Sequence, residues 1–339
     1  MGRFVSILGI VAALLLAGCA SVPDTPLTLE EAIEKDLAIT LPLRVSEKGL
    51  LIVEGVQVGG KPLKFVLDTG ATQSAIFQRS VERLDLNLES KEETMVHGMI
   101  DSQRRQVTTL PSLKMGTIEL QQKPVVILDN RKSNLSKFEK YDGLIGMDIL
   151  NDYQLLISPA KSQLKLIPNK QEIYVPSYWS RIELFPNPFQ MDNRTLHFMY
   201  MRIGGRRTVA LIDTGSEFSL MNWSAARFAQ VKSIRRKLRQ QWEMEGAVGV
   251  FRPTATIKLE RFRGGQKFWI YEDFIVMDFD SLDVLGVGEE PFIIAGMSLF
   301  GDETLFIDFQ RNFLAIKSGV TEDIPYWEEK YDIRYGGLH

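Results

Sequence analysis

The triplet Asp68-Thr69-Gly70 returns as Asp213-Thr214-Gly215, each at the end of an apolar run that follows a Gly-Gly pair. The surrounding stretches, Val56 to Phe77 and Met201 to Asn222, align without a gap. A chosen triplet arises by chance about once in several thousand positions, so two copies inside one matching frame indicate an internal duplication. A duplicated aspartate points to a site shared by two carboxylates. Carboxyls held about 3 Å apart cannot both ionise; one keeps its proton and the pair titrates as a unit. The ionised member can then activate a water while the protonated member polarises a carbonyl. Asp brings the acid on a short side chain. Thr offers a hydroxyl that can bond across an interface, and Gly lets the backbone approach its neighbour closely.

Other catalytic chemistries lack their residues. Cys19 is the only cysteine, which excludes an intramolecular disulfide and a thiol nucleophile elsewhere. The histidines His97, His197 and His339 are scattered without metal-ligand spacing. No G-x-S-x-G elbow, P-loop or dinucleotide fingerprint occurs, so no metal or organic cofactor is expected. A formal charge of −3 argues against a nucleic-acid partner. With 45% hydrophobic and 24% charged residues over 339 positions, the composition is that of a folded protein with room for two lobes.

The aspartates must be carried on strands. Leu50 to Val58, Leu63 to Leu67, Gln106 to Leu113, Lys123 to Leu128 and Leu155 to Ile167 are rich in Val, Ile, Leu and Phe and bounded by Gly, Pro or Asn. A second repeat supports the duplication: Asp142 to Leu150 matches Phe292 to Phe300, aligning Gly146-Met147 with Gly296-Met297. The order in each half is strand, Asp-Thr-Gly, glycine-bearing hairpin, strand, apolar-apolar-Gly, strand. Thr28 and Glu31 form a capping box before a short helical stretch, Leu29 to Ala38. The expected division is 1–18 signal peptide, 19–38 tether and short helix, 39–168 first lobe, 169–194 connector, 195–319 second lobe and 320–339 tail. The basic run Lys232 to Arg239 reads as a solvated helix face that could also touch anionic lipid headgroups.

At the N-terminus, Arg3 precedes an apolar run, Val5 to Leu16, of signal-peptide length. It ends in Leu16-Ala17-Gly18-Cys19, which resembles the lipobox of bacterial lipoproteins. That resemblance implies cleavage before Cys19, a lipid on its amino-terminal cysteine, and a membrane anchor. Ala20 rather than Asp at the next position resembles the default for outer-membrane sorting, facing the periplasm.

The whole pattern resembles the pepsin/retropepsin superfamily of aspartic peptidases. Val66-Leu67-Asp68-Thr69-Gly70-Ala71 and Leu211-Ile212-Asp213-Thr214-Gly215-Ser216 both fit its signature, and Leu144-Ile145-Gly146 and Ile293-Ile294-Ala295-Gly296 fit its later apolar-apolar-Gly segments. The resemblance implies a mostly β, bilobal acid-protease fold with two pseudo-twofold-related β-barrel lobes and a few short helices. It implies Asp68 and Asp213 as the catalytic pair of an endopeptidase, with Thr69, Gly70, Ala71, Thr214, Gly215 and Ser216 in support. His97, Gly98, Gly246 and Ala247 fall where the superfamily carries flaps over a peptide substrate. Fusion of both halves predicts a monomer. An inactive binding or scaffold lipoprotein on the same fold is the alternative. Ala71 stands where pepsins carry a hydroxyl, and its loss is expected to raise the pair's apparent pKa.

Overall fold

The computed structural model describes residues 26–46, 49–85, 92–97, 102–128, 141–189, 195–229, 244–245, 250–251, 253, 255–278 and 281–318. Cys19, the signal segment, the basic run and the tail lie outside them.

The two Gly-Gly pairs turn tight hairpins. Leu51–Val58 pairs antiparallel with Lys61–Leu67 across Gly59-Gly60, and His197–Ile203 pairs with Arg206–Ile212 across Gly204-Gly205. All four glycines have positive φ, the backbone region that side chains with a Cβ avoid. The second strand of each hairpin runs into its aspartate. Beside it lies the apolar-apolar-Gly strand, in parallel: Leu67 opposite Ile145 in one half, Ile212 opposite Ala295 in the other. A short strand follows each triplet, Ala75–Phe77 and Leu220–Met221. Each runs antiparallel to the apolar-apolar-Gly strand and parallel to one arm of a long hairpin. Those hairpins are Ser102–Met115 with Ile118–Leu128, and Ala255–Gly264 with Lys267–Val276. The two halves therefore share one strand topology.

Between them runs an antiparallel sheet to which both halves contribute. Its order is Ile39–Val45, Gln163–Pro168, Tyr153–Ser158, Thr304–Asp308, Phe313–Lys317, Ser180–Pro186. The halves meet at its centre, where Leu155, Leu156 and Ile157 face Ile307, Phe306 and Leu305. Side chains alternate across it with the period of two that strands impose. Leu155, Ile157, Leu305 and Ile307 join the main core, while Leu156, Ile167, Phe306 and Phe313 form a second cluster on the other face. Leu29 and Ala32 of the helix Leu29–Glu34, with Trp179, cover that second face. The helix begins at the expected capping box: Thr28 Oγ1 accepts from Glu31 N at 3.2 Å, and Thr28 N donates to Glu31 Oε2 at 2.7 Å. It stops at Glu34, earlier than Ala38, and Asp36 turns into the left-handed region.

Two sequence expectations change here. Leu155 to Ile167 is not one strand but two, Tyr153–Ser158 and Gln163–Pro168, joined by a 3-10 turn at Pro159–Lys161 and a left-handed Ser162. The stretch 169–194 read as a connector contains the strands Ile173–Tyr174 and Ser180–Pro186. The latter pairs with His197–Ile203 as Ile39–Val45 pairs with Leu51–Val58, so it is the second half's copy of that opening strand.

Candidate active site

Each aspartate is fixed first by its own backbone. Asp68 N donates to Ile145 O at 3.0 Å and Asp213 N to Ala295 O at 3.1 Å, which anchors both residues to the apolar-apolar-Gly strands. The loop then folds back, and Gly70 N donates to Asp68 Oδ1 at 3.0 Å, as Gly215 N does to Asp213 Oδ1 at 2.9 Å. These amides, with those of Ala71 and Ser216, hold the carboxyls in place.

The threonines bind the halves to each other. Thr69 Oγ1 accepts from Thr214 N at 3.1 Å and donates to Ile212 O at 2.8 Å. Reciprocally, Thr214 Oγ1 accepts from Thr69 N at 3.1 Å and donates to Leu67 O at 2.7 Å. Both threonines are buried. Replacing either by valine keeps the volume and deletes the hydroxyl, stranding one buried N–H and one buried C=O. Thr69→Val and Thr214→Val are each expected to lower stability by about 2–4 kcal/mol, read as the urea midpoint. The double variant should lose less than the sum, because all four bonds form one network.

The same loops bring the carboxyls together. A Cβ on Gly70 would lie 2.5 Å from Asp213 Cγ, and one on Gly215 would lie 2.4 Å from Asp68 Cγ. Each glycine thus packs directly on the opposite aspartate, and the two carboxyls hydrogen-bond to each other. Both aspartates keep part of their surface open to solvent, but the dense packing around them dominates their titration. Desolvation, and next the negative charge of Asp213, push the Asp68 carboxyl well above the ordinary range. Desolvation raises Asp213 to about 6, opposed by the Gly215 and Ser216 amides and by the hydrogen bond from Asp68. Both carboxyls are thus raised, Asp68 the further, and the pair titrates as a unit that keeps one proton after the other has left.

Ala71 and Ser216 require a correction. The Ser216 hydroxyl donates to Phe218 O at 2.8 Å, within its own turn, rather than to Asp213. The alanine and serine thus serve the carboxyls equally, through backbone amides. Burial is the largest cause of the rise in both carboxyls.

Beneath each triplet lies a support not singled out from the sequence. Ser74 Oγ accepts from Gly146 N at 3.0 Å and donates to Asp148 Oδ1 at 2.7 Å. Asp148 in turn pairs with Lys123 at 2.8 Å. In the second half, Ser219 Oγ accepts from Gly296 N at 3.1 Å and meets Ser298 Oγ at 2.9 Å. Met147 N and Met297 N each donate at 2.8 Å to the carbonyls of Ala71 and Ser216, so these loops brace the residues whose amides reach the carboxyls. A signal was present: Ser74 and Ser219 occupy the same position of the two aligned frames, as do Asp148 and Ser298.

His97 ends the strand Glu93–His97, where it pairs with Ser102. Glu245 pairs with Val250 in the corresponding short hairpin. Gly98, Gly246 and Ala247 lie outside the described residues. His197 is a core residue: its ring nitrogens lie 3.2 Å from the Thr195 and Phe309 carbonyls, and burial holds its pKa low. Near Ser216, a cavity of about 260 Å³ is lined by Val45 of the first half and by Glu217, Phe218, Met297 and Ser298 of the second.

Residues 55–152, which include Asp68 and the Gly146 loop, match the family model described as gag-polyprotein putative aspartyl protease. Among solved structures, an aspartic proteinase from Irpex lacteus is similar over 83% of this chain and 97% of its own, at 13% identity and a TM-score of 0.54. A retropepsin-like aspartic protease from Rickettsia conorii matches 38% of this chain and 89% of its own, at 21% identity and a TM-score of 0.29. The whole-chain likeness in fold rests on the former. No curated protein matches the sequence. The family match thus covers residues 55–152, and over most of its length the chain has the two-lobed fold of an aspartic proteinase.

Proposed function

We propose that the chain is a monomeric aspartic endopeptidase in which Asp213 is the base and Asp68 the acid. The observation that carries this reading is the close pair of carboxyls, each packed on the glycine of the opposite triplet and each raised in pKa by desolvation. The Asp213 carboxylate takes a proton from water as the water oxygen attacks a peptide carbonyl carbon, while Asp68 gives its proton to the carbonyl oxygen. Collapse of the resulting diol breaks the C–N bond and passes a proton to the leaving nitrogen, and one carboxyl ends protonated. We further propose, from the Leu16-Ala17-Gly18-Cys19 sequence, that the protein is a lipid-anchored lipoprotein of the periplasm.

Hydrolysis of a mixed peptide library tests the peptidase reading. Wild type should cleave in a pepstatin-sensitive manner, and Asp68→Asn should not. Because Asp213 must be ionised, the rate should rise with pH through about 6 and fall again where Asp68 loses its proton. No cleavage by wild type at any pH, or equal cleavage by wild type and variant, would replace this reading with a protease-fold binding protein.

A further inference from the structure

The outer face of the second half carries a row of arginines that the dyad does not use. In the strand register Arg202 stands opposite Arg207 on one side and Arg263 on the other, so three arginines lie side by side across three neighbouring strands. All three are exposed. Like charges directly opposite each other on a sheet destabilise it, so the row opposes folding unless something else uses it. Among the described residues, no carboxylate pairs with Arg202, Arg207 or Arg263. Aromatic rings stand among the arginines instead. Arg207 lies over Tyr200 at 3.2 Å, and Arg261, two residues before Arg263, lies over Phe268 at 4.9 Å. Phe268, opposite Arg263, is 46% exposed. All this occurs on a chain whose formal charge is −3.

We propose that this face docks on anionic lipid headgroups. Charge complementarity requires an anionic partner, and a sheet face bearing arginines interleaved with an exposed phenylalanine and a tyrosine suits the membrane interface, where such rings settle at headgroup level. The expected anchor at Cys19 would keep that surface within reach. The inference does not depend on peptidase activity.

The test is partition of the full-length chain onto vesicles of phosphatidylcholine with and without phosphatidylglycerol. The readout is the ratio between the two, in which the N-terminal apolar run contributes equally. The basic run Lys232 to Arg239 is unchanged in every variant. Each arginine near an anionic surface is worth about a fivefold gain in partition. The triple variant Arg202→Gln, Arg207→Gln, Arg263→Gln should therefore lose about 10²-fold of the anionic preference, and salt should erase that preference in wild type. A second variant guards against misfolding: Arg202→Glu removes two charges' worth of binding, about 25-fold, while a flanking pair of arginines now stabilises the sheet. Its melting temperature should rise as its partition falls. An unchanged vesicle ratio in both variants would overturn the proposal. So would tighter binding of wild type to a single-stranded oligonucleotide than to anionic vesicles, which would make the face a polyanion site.

Discussion

Asp213→Asn is expected to abolish turnover and, at neutral pH, to make the protein more stable. The amide keeps the shape of the carboxyl, and its oxygen can still accept from Gly215 N, which lies 2.9 Å from Oδ1. It cannot take a proton from water, so kcat should fall by at least about 10³-fold with little change in KM. The stability gain follows from the direction of the pKa shift. Asp213 sits at about 6 in the folded chain against an ordinary 3.8, so the folded state binds protons more tightly than the unfolded one. For such a group stability is greatest below about pH 4 and declines as pH rises through 6. Asparagine carries no such cost. Its gain at pH 7 should be about 1–2 kcal/mol, below the full value of the shift because the carboxyl is partly solvent-screened. At about pH 2, where the wild-type group is protonated in both states, the difference should vanish. Calorimetric melting of both proteins at the two pH values decides it. A variant less stable than wild type at pH 7 would mean that Asp213 is not the desolvated anion described above.

The second large effect is expected at Gly215. Alanine there would place a methyl 2.4 Å from Asp68 Cγ and 2.6 Å from each of its oxygens. Asp68 cannot swing aside cheaply, because its carboxyl is held by the Gly70 and Ala71 amides and by Asp213. The remaining response is to move the halves apart, which stretches the reciprocal threonine bonds. Gly215→Ala should cost about 2–4 kcal/mol and at least about 10²-fold in kcat/KM, since small misplacements of reacting groups are magnified in rate. Gly70→Ala, 2.5 Å from Asp213 Cγ, should behave alike. Denaturant titration and peptide hydrolysis together separate the two losses. Wild-type kcat/KM in either variant would show that the carboxyls need not be in contact.

The paired aspartates were legible in the sequence because the duplication is written twice in long apolar frames. Leu63 to Leu67 and Lys123 to Leu128 announce themselves as apolar runs, and they form the later parts of the strands Lys61–Leu67 and Ile118–Leu128, whose polar beginnings do not. Ser180–Pro186 does not: it is a seven-residue stretch among prolines whose alternation becomes meaningful only beside Phe313–Lys317. The break inside Leu155 to Ile167 was hidden because the turn is only a few residues long and both arms are apolar. Partner choice by a hydroxyl is the least legible of all. Nothing in the aligned frames says that the Ser216 hydroxyl would bond to Phe218 O in its own turn.

The central pairing of Tyr153–Ser158 with Thr304–Asp308 also bears on assembly. Either half alone would expose a strand edge whose natural complement is the same edge of another copy, and its triplet would lack the opposing threonine. Such halves would work only as a dimer that dissociates on dilution. Joined in one chain, the encounter becomes intramolecular and its effective concentration is set by the linker rather than by expression level. Symmetry is then no longer enforced, and the copies are free to specialise. Asp148 with Lys123 on one side and Ser298 on the other, and an arginine row on one half only, are the marks of that freedom.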